Sequence, residues 1–339
     1  MARDGGRLRN YHCGDEGLHL ALDATLQRGL RVVEPPYGII ARRLAAGSVV
    51  PFLGAGASLA GRPPGTAWTP DNKTLLPSGL DLARFLAHEA RLPSDDPSDI
   101  NDLAKVSSYY TAVAGRRALR EQLREVLTHE YEPSTLHHYL ASLPGPMVLV
   151  VTNYDTLAEQ AFRAAGKPYD LVVYPADRAD IANAVLWWRH GEPEPHVRAP
   201  NELDIDLKKT TVIYKMHGTV MPATEKWDNF VITEEDYVEF LSRMTRGQAV
   251  PSLFYPHFLE RSFLFLGYSL RDWNLRVVLR NLAKYFARRP DDEDEELRSW
   301  AIQRNPSRLE CELWSKRSVN IFDVDLEQFV TRLNEGRRS

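Results

Sequence analysis

Short apolar runs that end at a glycine or a small polar residue recur along this chain, and they constrain its fold more than any other feature. Four such runs cover residues 48–53, 147–152, 210–216 and 263–266, and two more cover 170–174 and 318–322. Segments with the apolar spacing of helices separate them, and strands that alternate with helices form parallel sheets. The sequence therefore predicts an α/β fold with a doubly wound parallel sheet.

Helical patterns fill most of the remaining chain, and one group of them interrupts the strand–helix alternation. We expect helices at 18–31, 38–46, 79–92, 101–130, 134–143, 156–166, 272–287 and 326–333. Thr233 followed by Asp236 is a capping box, which predicts a helix through about Arg243. The helices between 79 and 144 follow the first strand with no strand among them, so we expect an inserted helical module.

We expect a domain at 38–335, preceded by an N-terminal extension at 1–37. A variable region at about 175–209 follows the third strand and could close over a pocket as a lid. It contains Trp187 and Trp188, for which core packing, the lining of a pocket and a subunit contact are all open, with core packing favoured.

Composition excludes several classes of protein. The net charge of the 339 residues is −4, so there is no overall basic field to hold nucleic acid. The two cysteines, Cys13 and Cys311, form no CxxC pair, so neither a zinc ribbon nor a disulfide framework is predicted. The apolar runs are too short to cross a bilayer, and the N-terminus has no apolar signal core. We expect a cytoplasmic protein without a metal.

A glycine-rich turn, Gly54-Ala55-Gly56-Ala57-Ser58, follows the first predicted strand. Glycines at this place let the backbone approach a pyrophosphate, and the helix that follows offers free N–H groups. The third glycine of a GxGxxG motif is absent, because position 59 is leucine. A tight strand-to-helix turn without a ligand is therefore the alternative interpretation.

Polar residues also follow the second and third runs of the four. Thr152, Asn153 and Asp155 follow the strand predicted at 147–152, and Asp155 has a simpler use as a helix cap. His217 follows the strand predicted at 210–216, where an imidazole of near-neutral pKa suits a general base. A structural histidine is the alternative.

The fourth run is followed by Gly267, Ser269 and Asn274, which could contact ribose or phosphate oxygens or simply begin a helix. Each motif taken singly has an explanation in turn chemistry. Because the carboxyl ends of parallel strands meet at one edge of a sheet, the four together predict a pocket there.

The segments GAGAS, TNYD, KMHG and GYS, in this order and spacing, resemble the sirtuin-type NAD-binding domain. The segments at 231–241 and 265–276 are similar to its bacterial branch, the sirtuin-like NAD hydrolases of anti-phage defence. The resemblance covers about 40–335 and implies a Rossmann-like domain. The chain departs from the protein deacylases, because it lacks their two CxxC pairs and the phrase that continues their phosphate loop. Leu76-Pro77-Ser78 looks instead like the bacterial Leu-Pro-Ser.

The resemblance implies a role for each matching residue. Gly54, Ala55, Gly56 and Ser58 would hold the pyrophosphate, with Thr152 beside them. Asn153 would bind the nicotinamide ribose and position a water, and His217 would take a proton from a ribose hydroxyl or polarise it. Asp155 would face the carboxamide, while Gly267, Ser269 and Asn274 would lie against the adenosine ribose and phosphate.

The implied function is hydrolysis of NAD, as a substrate, to ADP-ribose and nicotinamide, without a metal. The resemblance also implies a toxic anti-phage effector that is restrained as a homo-oligomer or by an operon-encoded partner, such as a motor ATPase or a nucleic-acid-guided protein. A transferase of ADP-ribose or acyl groups and a non-catalytic nucleotide-sensing scaffold are the alternatives. If His217 is structural, His190 and His196 in the variable region are the next candidates.

Overall fold

The computed structural model describes residues 34–63, 65–176, 178–181, 183–268 and 299–336. The chain divides into two units, Met1–Pro35 and Pro36–Ser339, and every element named here belongs to the second. Several predicted features lie outside the described residues: the helices at 18–31 and 272–287, and the site candidates Ser269 and Asn274.

Nine strands form one sheet, which is parallel over most of its width. The described residues contain two further strands. All the strands in chain order are β1 Val49–Leu53, β2 Val148–Val151, β3 Tyr169–Val173, β4 Val185–Trp188, β5 His196–Arg198, β6 Thr211–Lys215, β7 Gly218–Thr219, β8 Asn229–Phe230, β9 Ser262–Leu266, β10 Ser299–Ile302 and β11 Val319–Phe322. Their order across the sheet is β11-β10-β9-β1-β2-β6-β3-β4-β5. The pairings from β11 to β3 are parallel, and β4 and β5 are added antiparallel. The strands β7 and β8 form a separate antiparallel ribbon.

Both faces of this sheet are covered, which explains why its central strands are apolar at every position. All residues of β1, β2, β6 and β9 are buried. Successive side chains of a strand point to opposite faces, so Val50 and Phe52 belong to one apolar cluster while Val49 and Leu53 belong to another. The fold is therefore the predicted Rossmann-like doubly wound α/β sheet.

Helices flank the sheet and build the inserted module. They are α1 Tyr37–Ala45, α2 Ala55–Ser58, α3 Gly79–Glu89, α4 Pro97–Ile100, α5 Leu103–Ala114, α6 Arg116–Leu127, α7 Thr135–Ala141, α8 Leu157–Ala164, α9 Glu234–Thr245, α10 Tyr255–Glu260, α11 Arg308–Ser315 and α12 Leu326–Gly336. The helices α3 to α6 share a third apolar cluster, which includes Leu86, Val106, Leu119 and Leu123. The capping box of Thr233 and Asp236 is present at the start of α9, as predicted.

Five strands, β4, β5, β7, β8 and β10, were not predicted from the sequence, and each has only two to four residues. Runs this short carry little periodicity, so pairing with neighbours rather than local pattern defines them. Trp187 and Trp188 lie on β4 and are 3% and 6% exposed, on opposite faces of the sheet. They are core residues, which is the interpretation that the sequence favours. Within the described part of the chain, no helix is long and apolar enough to span a bilayer.

Candidate active site

A cavity of about 740 Å³ lies at the carboxyl ends of the central strands, between the sheet and the helical module. The strands β9, β1, β2 and β6 are neighbours in the sheet, so their carboxyl ends meet at one edge. Seven of the residues singled out in the sequence line the cavity: Ala55, Ser58, Thr152, Asn153, Asp155, His217 and Gly267. Side chains from the helical module and the region before it close the other side, among them Leu76, Leu82 and Leu127.

The glycine turn after β1 is locked against the loop after β9. The N–H of Gly56 donates to the carbonyl oxygen of Gly267 at 2.9 Å. A Cβ atom at Gly56 would lie 2.9 Å from the Cα of Gly267, and one at Gly267 would lie 2.1 Å from the backbone nitrogen of Ala57. Gly267 also has a φ of +73°, a left-handed conformation that favours glycine. These contacts account for both glycines without a ligand, and the pyrophosphate role expected for Gly54 and Gly56 stays a prediction.

Asn153 and Asp155 are tied to the glycine turn through Ser58. The Nδ2 group of Asn153 donates to the carbonyl oxygen of Gly54 at 2.9 Å and to the hydroxyl oxygen of Ser58 at 2.7 Å. The Ser58 hydroxyl donates to Oδ2 of Asp155 at 2.8 Å, and Oδ1 of Asp155 accepts the N–H of Leu157 at 3.1 Å. Asp155 therefore accepts the first N–H of α8, close to the capping use that the sequence offers, although the N-cap residue itself is Thr156. Asp155 also lines the cavity.

His217 projects into the cavity from the end of β6 and is held between two aromatic rings. Its ring meets Tyr237 and Phe240 edge-on, with centroids 5.5 and 5.1 Å apart. Its Nε2 atom is buried, with no hydrogen-bond partner among the described residues. Burial lowers the pKa of His217 from 6.5 to about 4. This is lower than the near-neutral pKa predicted from the sequence, because the rings of α9 cover part of the imidazole and so disfavour its charged form.

A buried ion pair lies below this site. Lys215 is fully buried on β6, and its Nζ atom donates to the backbone oxygen of Asp155 and lies 3.7 Å from Oε1 of Glu159. Burial raises the pKa of Glu159, whose carboxylate oxygens have no hydrogen-bond partner among the described residues. Neither residue was predicted from the sequence, because a lysine inside a strand and a glutamate inside a helix look like exposed positions.

Three tyrosines of the cavity were also missed: Tyr154, Tyr237 and Tyr268. Tyr268 follows β9, as the predicted residues follow their strands, and its hydroxyl lies 2.9 Å from the hydroxyl of Thr152. Tyr237 is three positions before Phe240 on α9, a helical spacing that places both rings on one face. The signal for Tyr268 is thus its position after a strand, and the signal for Tyr237 is its helical spacing from Phe240.

None of the described residues of the variable region at 175–209 lines this cavity. It carries β4 and β5 at the far edge of the sheet instead. His190 is exposed there, and Nε2 of His196 lies 2.5 Å from a carboxylate oxygen of Glu192. The structure therefore does not bring His190 or His196 to the site. Among the described residues, no group of three or more His, Cys, Asp or Glu could hold a metal ion.

Comparison with known proteins places this geometry in a family. The model of the SIR2-like domain matches residues 147–322, which run from β2 to β11 and include Asn153 and His217. The NAD(+) hydrolase ThsA of Acinetobacter baumannii (strain 532279) is 26% identical over 253 residues, which cover 74% of this chain and 43% of the relative. The protein of the same name from Enterococcus faecium is 25% identical over 296 residues, covering 77% of this chain and 54% of the relative.

A further relative is the defense-associated sirtuin 2 of Bacillus subtilis, which is 19% identical over 227 residues, covering 66% of this chain and 19% of that protein. The chain thus spans about half the length of the ThsA proteins that it matches, and less of the Bacillus protein. The family model covers more than half of this chain and contains most of its central sheet. The chain belongs to the family of proteins with a SIR2-like domain.

Proposed function

We propose that the chain is an NAD glycohydrolase, which cleaves NAD to ADP-ribose and nicotinamide. One observation carries the proposal: Asn153 and His217 end two neighbouring strands, β2 and β6, and line the same cavity. The names of the ThsA relatives support it, because those proteins are NAD(+) hydrolases.

The chemistry of the bond suits an amide and a neutral imidazole. When the bond between the ribose C1′ and the nicotinamide nitrogen breaks, its electron pair goes to the pyridinium ring, which leaves uncharged. No strong general acid is then needed, and the sugar passes through a state that resembles an oxocarbenium ion. Water adds to C1′ and loses a proton. His217, with a pKa of about 4, is uncharged at neutral pH and able to accept a hydrogen bond from a ribose hydroxyl or from this water.

The walls of the cavity favour this step by limiting water. Leu76, Leu82, Leu127 and Ile232 line it together with the polar groups. A largely apolar enclosure strengthens the electrostatic interactions inside it and keeps bulk solvent from the reacting carbon. We place the nicotinamide ribose at Asn153 and His217, with the rest of NAD extending past Ala55 and Gly267.

We also propose that the activity serves anti-phage defence by depleting NAD, and that a homo-oligomer or a separate partner restrains it. The name of the Bacillus relative, a defense-associated sirtuin, supports the first part. A motor ATPase or a nucleic-acid-guided protein is the kind of partner we expect. Infection of cells that carry the parent gene or its Asn153→Ala variant, with NAD measured over time, tests the depletion.

The test of the activity is nicotinamide release by purified protein, with and without the products of neighbouring genes. His217→Ala is expected to lose on the order of 10²–10⁴ in rate, the usual worth of a positioned acid–base group, and Asn153→Ala, which removes the group that positions the water, is expected to lose a similar factor. Binding of carba-NAD, in which a carbocycle replaces the reactive ribose, is expected to persist in both variants. His190→Ala is the matched control, because that side chain is exposed and lies outside the cavity.

Three outcomes would contradict the proposal. Full nicotinamide release by the Asn153 and His217 variants would move the chemistry to other residues. A protein product that carries ADP-ribose would identify a transferase. Binding of carba-NAD without NAD turnover, under every partner condition, would identify a nucleotide-sensing scaffold.

A further inference from the structure

We infer that Ser58 and Asp155 are positioning residues that hold the side-chain amide of Asn153 with its oxygen, Oδ1, toward the cavity. The inference rests on the proposed function and names the atom that binds the attacking water. It differs from the direct NAD contacts that the sequence resemblance implies for Ser58 and Asp155.

The side-chain amide of Asn153 contacts the glycine turn at Gly54. The carbonyl oxygen of Gly54 lies 2.9 Å from the side-chain amide, and a carbonyl oxygen can only accept a hydrogen bond. The group that faces it must therefore be Nδ2. A rotated amide would bring Oδ1 against the carbonyl, placing two acceptors side by side.

The remaining hydrogen of Nδ2 is donated to the hydroxyl oxygen of Ser58. A carboxylate accepts only, so the single hydroxyl hydrogen of Ser58 is donated to Oδ2 of Asp155 at 2.8 Å. The Ser58 oxygen is then left as the acceptor for Asn153, whose Nδ2 lies 2.7 Å away. Both hydrogens of Nδ2 are thus used inside the protein. The carbonyl of Gly54 determines the direction of the first bond, and Asp155, through Ser58, determines the direction of the second.

Asp155 is itself held from two sides. Its Oδ1 accepts the N–H of Leu157 at 3.1 Å, at the start of α8. Its backbone oxygen accepts a hydrogen bond from Nζ of Lys215, which is fully buried. The chain of hydrogen bonds that ends at Asn153 therefore begins on a helix terminus and on a buried ammonium group.

What remains of the amide of Asn153 is Oδ1, which makes no hydrogen bond to the described residues. Asn153 is 8% exposed and lines the cavity, so this oxygen is the acceptor it offers to a bound molecule. An acceptor binds water through one of the water's hydrogens, which leaves a lone pair of the water oxygen free to attack C1′. Rotation of the amide would lose two hydrogen bonds, so the orientation is maintained before NAD binds.

The test is a double-mutant cycle at Ser58 and Asp155, with nicotinamide release and carba-NAD affinity measured for each variant. Ser58→Ala is expected to lower kcat about tenfold, close to the worth of one hydrogen bond, and to leave the carba-NAD Kd within about twofold. Ser58→Thr keeps the hydroxyl and is expected to restore kcat. Because the two residues act through one amide, Ser58→Ala combined with Asp155→Asn is expected to be no slower than the slower single variant.

Two kinetic results would overturn the inference while leaving NAD hydrolysis in place. One is a kcat for Ser58→Ala equal to that of the parent. The other is losses that multiply in the double variant together with weaker carba-NAD binding, which would mean that Asp155 contacts the nicotinamide directly.

A measurement that needs no turnover separates this inference from the proposed function. In protein labelled with ¹⁵N at asparagine, the Asn153 side-chain amide signal is assigned by its loss in Asn153→Ala. Its hydrogens are expected to exchange slowly with solvent and faster in Ser58→Ala, because both are hydrogen-bonded in the parent. Equal exchange would overturn the oriented amide. A parent protein with slow exchange but no nicotinamide release would remove only the proposed function and the water-binding role.

Discussion

The imidazole of His217 lines the cavity, in surroundings that are unfavourable for a positive charge. Its strand brings it to the cavity, and two aromatic rings of α9 cover part of it. Desolvation disfavours the charged form, so the pKa falls to about 4. The residue therefore stays neutral over a wider range of pH than an exposed histidine does.

This pKa predicts the pH dependence of catalysis. Nicotinamide release is expected to stay level as the pH falls from about 8 to about 5, and to decline only as His217 becomes protonated near its pKa of about 4. The measurement is kcat for nicotinamide release across this range, and the His190→Ala profile should coincide with the parent's. A midpoint near the ordinary histidine pKa of about 6.5 would contradict the lowered pKa of His217 or its role in the reaction.

A buried polar atom without a partner also predicts a conflict between stability and activity at this position. His217→Phe keeps a ring between Tyr237 and Phe240 and removes the unpaired Nε2. We expect the free energy of unfolding to rise by about 1 kcal/mol at pH 7, while nicotinamide release is lost.

The gain from His217→Phe should be larger at pH 5. The folded-state pKa of His217 lies below the unfolded value, so the unfolded chain binds more protons between about 4 and about 6.5, and acid removes stability there. The His217→Phe variant has no imidazole at this position to take up a proton, so acid does not lower its stability in this way. Urea unfolding of parent and variant at both pH values measures the difference, and a variant less stable than the parent at both would contradict the account.

Much of the site could be predicted from the sequence with a single rule about parallel strands. Residues that follow neighbouring parallel strands meet at one edge, and this rule found Asn153 and His217. The protonation state of His217 was not accessible, since it depends on rings from α9. The roles of Ser58 and Asp155 toward Asn153 depend on hydrogen-bond directions, which spacing along the chain does not specify.

At the scale of elements, helix α6 fastens the helical module to the segment that follows His217. Arg116 pairs with Asp236 at 2.8 Å and donates to the backbone oxygen of Phe230 at 2.7 Å. Arg124 pairs with Asp228 at 2.7 Å and donates to the backbone oxygens of Met221 and Pro222. These two arginines connect the module to the ribbon of β7 and β8, and to the start of α9.

The Arg124 contact predicts a stability effect with a matched control on the same helix. The Asp228 side chain is 3% exposed, so Arg124→Met removes the cation that pairs with a buried carboxylate. We expect a loss of about 2 kcal/mol in the free energy of unfolding, reduced from the fully buried case because Arg124 is partly exposed. Arg117→Met serves as the control, since its side chain is 91% exposed and its pair along the helix with Glu121 is exposed too. Equal effects in urea unfolding would show that the Arg124 pair contributes nothing.

The elements themselves were predictable in proportion to their length and to their periodicity. The helical spacing of α6 was identified, although the single helix predicted at 101–130 is two helices, α5 and α6, divided at Gly115. The strand β1 was identified as a continuous apolar run that ends in a glycine. The edge strands β4 and β5 were missed, because they are defined by antiparallel pairing with β3 and with each other. Such pairing is a tertiary property that a run of three or four residues does not encode.

At the scale of the whole molecule, cysteine content leads to a prediction about metal. Cys13 and Cys311 are the two cysteines of the sequence, so a Cys₄ zinc site cannot form within one chain. We expect purified protein to hold no stoichiometric zinc and its melting temperature to be unchanged by a chelator. Elemental analysis and thermal unfolding with and without the chelator measure this. One tightly held zinc per chain would contradict it.

The close contact of Gly56 with Gly267 has a consequence for how this family can vary. The two positions are far apart in the sequence, yet each occupies the space that a side chain on the other's loop would need. Replacement of either glycine alone would require the opposite loop to move, so a residue with a side chain at either position needs a compensating change in the other loop. Selection therefore acts on the two loops as a pair, and an alanine at one position should appear only in relatives whose other loop has a different path.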